Sequence, residues 1–109
     1  MHRTGFKMRL KPGCEDIYKE KHDLIWPELI EVLKKQGIVR FVIYRDGLDL
    51  FAHIESTTPQ TPGESVDPVM RRWWDMMAEF METNEDNSPR TWPLDEMFWL
   101  ELLEYPDGG

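Results

Sequence analysis

The chain has 109 residues, 40% of them hydrophobic, and a net charge of −8 from 21 acidic and 13 basic residues. This length predicts a single domain over residues 1–109 with a small core. The excess of acidic over basic residues argues against binding to nucleic acid or to an anionic membrane, because both require clustered Lys and Arg. Cys14 is the only cysteine, and no apolar run approaches the roughly 18 residues of a membrane span. We therefore expect a soluble, cytoplasmic protein.

The first part of the chain predicts a strand followed by an interrupted helix. Residues 6–10 alternate apolar and basic side chains, which is the period of a half-buried strand. A helical pattern covers residues 15–35, and Gly37 is expected to follow its C-terminus. Pro27 lies inside that pattern, so we expect a break near residues 25–26.

A hairpin and a second helix follow. Residues 38–44 and 48–55 predict two strands joined by a turn at Asp46-Gly47. A loop over 56–65 leads to a helix over 66–81, whose start is marked by Asp67-Pro68.

The C-terminal part predicts one more strand. Residues 83–93 are polar and contain proline, residues 94–103 predict the last strand, and residues 104–109 are expected to form a flexible tail.

The predicted order is β-α-β-β-α-β, a ferredoxin-like arrangement of the α+β class. One antiparallel sheet would have both helices on one face. The other face would remain uncovered, which favours a homodimer.

Tyr18 and His22 are the most informative pair in the sequence. They are four residues apart on one helix face, in line with Leu29 and Leu33. Polar groups on a face that should be buried are costly unless they have partners. A lone histidine on a helix is more often structural than catalytic, but the Tyr18 spacing makes a site the better interpretation of His22.

The second candidate cluster is Trp73-Trp74. Most of the surrounding apolar residues are expected to be core. Adjacent tryptophans are about 100° apart around a helix, so we expect one of them to line a cavity, a rim or a partner surface. Such an indole suits the C–H face of a sugar. The following segment, residues 84–89, is by itself most simply a turn-rich loop.

Taken together, these segments resemble the L-rhamnose mutarotase family from about Thr4 to Leu100. The residues that carry the resemblance are Phe6, Met8, Pro12, Tyr18, His22, Ile25-Trp26-Pro27-Glu28-Leu29, Gly37, Ile43-Tyr44, Phe51-Ala52, Glu55, Trp73-Trp74, Met77, Met81, Asn84, Asp86-Asn87-Ser88-Pro89 and Phe98.

The resemblance implies a dimeric α+β barrel type of fold whose members interconvert the α and β anomers of L-rhamnose without a metal or organic cofactor. It implies a proton-donor role for His22 and substrate contacts for Tyr18, Trp73 and Trp74. A further substrate-contacting tyrosine of the family corresponds to Phe41, which keeps the ring and lacks the hydroxyl.

Anomer exchange needs only positioned proton transfer, and the unperturbed pKa of histidine, about 6.5, suits that task. We expect His22 to be the main acid/base group, with Tyr18 binding a hydroxyl or sharing the proton relay. His53, on the third strand, is a candidate to supply the polar group that Phe41 lacks. No ligand spacing supports a metal at His22 and His53.

Two alternatives stay open from the residues alone. One is a cofactor-free monooxygenase on the same dimeric scaffold, with an apolar pocket that contains few donors. The other is a non-catalytic dimeric module that binds a small molecule.

Overall fold

The computed structural model describes residues 1–62, 64 and 67–103. These described residues form four strands and three helices, in the order β1, α1, α2, β2, β3, α3, β4. The strands are β1 (His2–Arg9), β2 (Ile38–Asp46), β3 (Asp49–Ser56) and β4 (Trp92–Leu94), and the helices are α1 (Glu15–Asp23), α2 (Pro27–Lys35) and α3 (Pro68–Met77). Because α1 and α2 are the two halves of one predicted helix, the β-α-β-β-α-β order is confirmed.

The sheet has the strand order β2-β3-β1-β4, and all three neighbouring pairs are antiparallel. On β1, Phe6 and Met8 lie opposite Ala52 and Leu50 of β3, and all four side chains are buried. Side chains alternate between the two faces of a strand, so this register directs one apolar face toward the helices. The predicted α+β class, with the helices packed on one face, is confirmed.

Pro27 divides the first helix as predicted. It is the first residue of α2, and Trp26 before it has extended backbone dihedral angles of φ −64° and ψ 132°. The proline ring clashes with the residue before it and disfavours helical φ and ψ angles there, so α1 has to end before α2 can begin. The break lies at residues 24–26, close to His22 in the last turn of α1.

Two glycines occupy backbone conformations that other residues adopt at a cost. Gly37 follows α2 with φ +85°, and its N–H donates to the Lys34 carbonyl. Gly47 has φ +61° in the two-residue turn between β2 and β3, where Asp46 pairs with Asp49. Both positions favour glycine because it has no Cβ to clash.

The core lies between the helices and the inner face of the sheet. Its most buried members are Leu10, Leu50 and Met77, each with no more than 2% of its surface exposed. Tyr18 and the two neighbouring tryptophans of α3 belong to the same cluster. Three of the candidate site residues, Tyr18, Trp73 and Trp74, are therefore part of the core.

Two predicted boundaries are wrong. Helix α3 ends at Met77 instead of Met81, because Met81 forms a β-bridge with Leu10. The last strand is Trp92–Leu94 instead of 94–103, because only these three residues are in register with β1.

The start of α3 is as expected at Asp67-Pro68, where the Asp67 side chain accepts a hydrogen bond from the Val69 N–H. The predictions for Ser65, Val66 and residues 104–109 fall outside the described residues. Within the part of the chain that the structure describes, no helix is both long and apolar enough to span a bilayer.

Candidate active site

A cavity of about 610 Å³ lies between the helices and the inner face of the sheet. Helix α1 supplies Tyr18 and His22, helix α3 supplies Trp73 and Trp74, and the sheet supplies apolar residues together with Phe41. The lining residues used below are Tyr18, His22, Phe41, Ile43, Leu50, Met70, Trp73, Trp74, Pro89 and Thr91. Volumes of roughly 300–1,000 Å³ are typical of small-molecule sites.

Tyr18 and His22 meet in this cavity as their helical spacing predicts. Their rings are stacked, with centroids 4.3 Å apart and an interplanar angle of 30°. His22 Nδ1 lies 3.0 Å from the backbone carbonyl oxygen of Tyr18. Because a carbonyl can only accept a hydrogen bond, Nδ1 carries the proton. In the neutral ring, Nε2 is then the unprotonated nitrogen and can act as a base.

Burial sets the charge state of both groups. It lowers the pKa of His22, although the hydrogen bond to the Tyr18 carbonyl and the charge of Asp23 partly oppose this shift. Burial also raises the pKa of Tyr18. Both shifts favour the uncharged forms. At neutral pH the site therefore offers an imidazole as base and a phenol as hydrogen-bond donor.

The Tyr18 hydroxyl is available for a ligand. Only 7% of the residue is exposed, yet the hydroxyl makes no hydrogen bond to any other described residue. The hydroxyl is not among the fully enclosed atoms without a partner, so it is accessible from the cavity and can form a hydrogen bond to a ligand oxygen there.

The two neighbouring tryptophans surround the pair. Trp73 contacts His22 edge to face, with ring centroids 5.3 Å apart, and contacts Trp26 in the same way at 5.2 Å. Trp73 and Trp74 are both buried, and both line the cavity. The helical spacing predicted that one of the two would line a cavity, a rim or a partner surface, and in the structure both line the cavity.

Phe41 lies on the sheet side of the cavity, in register with Ile54 on the inner face. The same alternation places Ile43 beside it. Its ring is 41% exposed, so it stands at the mouth and not in the core.

His53 lies on the opposite face of the sheet. It is paired with Gly5 on one side and Val42 on the other, out of phase with the buried residues of β3. Its Nε2 is 3.3 Å from a carboxylate oxygen of Glu55. This corrects the expectation that His53 faces the same pocket as Phe41, since a one-residue offset in a strand reverses the direction of a side chain.

The loop over 84–89 supports one wall. The Asp86 carboxylate accepts hydrogen bonds from the backbone N–H and hydroxyl of Ser88, and the Asn84 amide donates to the same hydroxyl. These bonds lower the pKa of Asp86. Asn87 donates to Asp75 of α3 at 3.1 Å. The loop thus fixes the backbone from which Pro89 enters the cavity.

Several wall residues were not singled out from the sequence, chiefly Ile43, Leu50, Met70 and Thr91. The sequence could have indicated Ile43, because it lies two residues from Phe41 and therefore on the same strand face. Met70 is one helical turn before Trp73 and Trp74. No pattern in the sequence indicated that Thr91 lines the cavity, since its position depends on the preceding loop.

Metal ligation finds no support among the described residues, which contain no cluster of three or more His, Cys, Asp or Glu side chains suited to an ion.

Comparison with known proteins identifies the family. The sequence profile of L-rhamnose mutarotase matches residues 3–100. The chain belongs to the L-rhamnose mutarotase family. It is 41% identical over 104 residues to the L-rhamnose mutarotase of Phocaeicola vulgatus, which covers 93% of this chain and all of that protein. It is 42% identical over 104 residues to the enzyme of Sinorhizobium fredii, covering 92% and 99% of the two chains.

A solved structure agrees with this placement. The crystal structure of an L-rhamnose mutarotase from Formosa agariphila superposes with a TM-score of 0.85 at 38% identity. The match covers 93% of this chain and all of the other. The family predicted from the sequence is confirmed. Membership of this family argues against the alternative of a cofactor-free monooxygenase.

Proposed function

We propose that this protein interconverts the α and β anomers of L-rhamnose by opening and reclosing the sugar ring. Membership of the mutarotase family supports the reaction. The observation that carries the proposal is the buried Tyr18–His22 pair, in which Nδ1 of His22 is bound to the Tyr18 carbonyl and Nε2 is free to act as a base.

The proposed steps need no group from outside the cavity. Nε2 of His22 takes the proton from the anomeric hydroxyl, the C1–O5 bond breaks, and its electron pair stays on the ring oxygen. After rotation about C1–C2, that oxygen attacks the other face of the aldehyde. The former carbonyl oxygen then recovers its proton from His22. Protons and electrons balance, and the enzyme returns to its starting state.

Tyr18 is proposed to donate a hydrogen bond to the ring oxygen while negative charge develops there. Its raised pKa keeps it protonated, so it stabilises that charge without forming a buried tyrosinate. Trp73 and Trp74 would face the C–H groups of the sugar. Phe41 would contact the substrate at the mouth through its ring alone.

Saturation-transfer proton NMR tests the proposal directly. One anomeric proton of L-rhamnose at equilibrium is irradiated, and the signal of the other is followed with wild-type protein and with His22→Gln. Transfer with the wild type alone is expected. Equal transfer with both proteins would retain the reaction and reject His22 as the base. No transfer with either would reject L-rhamnose as substrate, and L-fucose, L-mannose and L-lyxose would follow.

We also propose a homodimer in the cytoplasm. The sheet face away from the helices carries Tyr44 at 67% exposure and Leu94 at 46%, together with Phe51. Exposed apolar side chains on a sheet face that no helix covers are typical of an interface between subunits. The cytoplasmic location rests on the single cysteine.

A further inference from the structure

The hydroxyl groups that line the cavity are the natural partners for the hydroxyls of a sugar. Four of the described lining residues carry one, namely Tyr18, Tyr44, Thr61 and Thr91. Tyr44 is 67% exposed, and Thr61 is exposed as well. Of these four, Tyr18 is buried and Thr91 is half-buried. The steps proposed above use Tyr18 and leave Thr91 without a role.

The register of β4 directs the Thr91 side chain into the cavity. Trp92 pairs with Lys7 of β1, and the Lys7 Nζ lies 5.0 Å from the centroid of the Trp92 ring. Both side chains are on the open face, defined here as the sheet face away from the helices. Thr91 precedes Trp92 directly, so its side chain points to the other face, where Phe6 and Met8 are buried. Its place in the cavity lining agrees with this direction.

The backbone is held on both sides of Thr91. Before it, the loop closes on itself, since the Asn84 N–H donates to the Ser88 carbonyl at 2.8 Å and the Arg90 N–H donates to the Glu82 carbonyl at 3.2 Å. After it, β4 pairs with β1. A side chain on a backbone fixed in this way can bind a ligand with little further loss of conformational freedom.

The Thr91 hydroxyl is available to a ligand. It makes no hydrogen bond to any other described residue. The Ser88 hydroxyl, three residues earlier, is instead bonded to the Asp86 carboxylate and the Asn84 amide. The loop thus satisfies its own polar groups and leaves that of Thr91 unbonded. A threonine hydroxyl can donate one hydrogen bond and accept others, which suits a sugar hydroxyl.

We propose that Thr91 determines substrate specificity by forming a hydrogen bond to a sugar hydroxyl other than the anomeric one. The proposal rests on the proposed function and deepens it. Tyr18 and His22 both lie on α1 and are assigned to the ring oxygen and the anomeric hydroxyl. Thr91 enters from a different part of the chain and can therefore contact another position on the ring. Contacts from two separate elements fix the orientation of the sugar as well as its position.

Kinetics of Thr91→Val test this role. Valine has a similar shape and lacks the hydroxyl. KM for L-rhamnose is expected to rise by about 3–10-fold, and kcat to change by less than about twofold, because the contact is made before and during ring opening alike. Thr91→Ser keeps the hydroxyl and is expected to restore KM to within about twofold of the wild type.

The matched control is Thr83→Val. Thr83 forms a β-bridge with Pro89 at the base of the same loop and is not among the described residues that line the cavity. Its substitution makes the same chemical change and is expected to leave KM and kcat unchanged. An equal rise in KM for Thr83→Val and Thr91→Val would assign the effect to the loop and overturn the inference.

Sugars that lack a single hydroxyl identify the contacted position. The exchange kinetics of L-rhamnose analogues without the hydroxyl at C2, C3 or C4 are measured with wild type and with Thr91→Val. One analogue is expected to give the same KM with both proteins, because the hydrogen bond is already absent from its complex with the wild type. If Thr91→Val raises KM equally for L-rhamnose and for every analogue, no such hydrogen bond exists and the inference is overturned.

The outcomes separate this inference from the proposed function. If the wild type exchanges L-rhamnose and Thr91→Val leaves KM unchanged, only the inference is overturned. If the wild type catalyses no exchange, the proposed function fails, and binding of L-rhamnose is followed by the fluorescence of Trp73 and Trp74, which line the cavity. A dissociation constant raised by Thr91→Val alone would support the contact, whereas equal constants, or no binding by the wild type, would overturn it.

Discussion

The two faces of the sheet use similar residue types for different purposes. Each face carries histidine, tyrosine and tryptophan side chains. On the helix face, Tyr18 and His22 are enclosed, and burial keeps both uncharged at neutral pH. On the open face, His53 and Tyr44 are 39% and 67% exposed, and His53 contacts the carboxylate of Glu55. Residue type alone does not identify the site, and enclosure by the helices does.

Matched histidine substitutions give the largest expected contrast. His22→Gln is expected to lower the catalysed exchange rate of L-rhamnose by about 10²–10⁴-fold, the usual contribution of a positioned proton-transfer group. His53→Gln is expected to leave the rate unchanged, because its side chain is on the other face. NMR saturation transfer measures both. A large loss for His53→Gln would show that the open face takes part in catalysis.

Matched tyrosine substitutions give the next contrast. Tyr18→Phe removes the unpaired hydroxyl from the cavity and should lower kcat by roughly 10–100-fold, as expected for a hydrogen bond to a developing charge. Tyr44→Phe removes a hydroxyl at the outer edge of the cavity from a residue that is 67% exposed, and should lower kcat far less. An unchanged kcat for Tyr18→Phe would restrict Tyr18 to a role in packing.

The pH dependence tests the assignment of His22 as base. Only the neutral imidazole can accept the proton, so kcat/KM should fall when the pH drops below the pKa of His22. Burial lowers that pKa, so the acid limb should lie below about 6.5, with about a tenfold loss per pH unit further down. The measurement is kcat/KM from pH 4.5 to 8, corrected for uncatalysed exchange. An acid limb of the kcat/KM profile that lies above pH 6.5 would contradict a buried, neutral His22.

The substitution Phe41→Tyr is expected to have the smallest effect. It adds a donor at the mouth of the cavity, where the ring is already 41% exposed. We expect KM for L-rhamnose to fall by about two- to fivefold with kcat little changed, because one exposed hydrogen bond contributes little. Titration of the exchange rate against sugar concentration measures the change. A raised KM would show that this cavity requires an apolar residue at position 41.

Local patterns in the sequence determined much of the fold. The alternation of residues 6–10, the turn at Asp46-Gly47 and the break before Pro27 each depend on the conformational preferences of a few adjacent residues. The four-residue helical spacing likewise placed Tyr18 and His22 on one helix face. The role expected for each group followed from the family resemblance and remains to be measured.

Tertiary structure decided the features that depend on distant parts of the chain. The end of α3 is set by pairing between Met81 and Leu10, and the length of β4 is set by its register with β1. The side of the sheet on which His53 lies also follows from register, because a single-residue offset exchanges the two faces. The enclosure of His22 and the position of the Tyr18 hydroxyl in the cavity become visible only when the helices pack on the sheet. A sequence specifies local geometry directly, whereas enclosure and charge state arise from the packing of segments far apart in it.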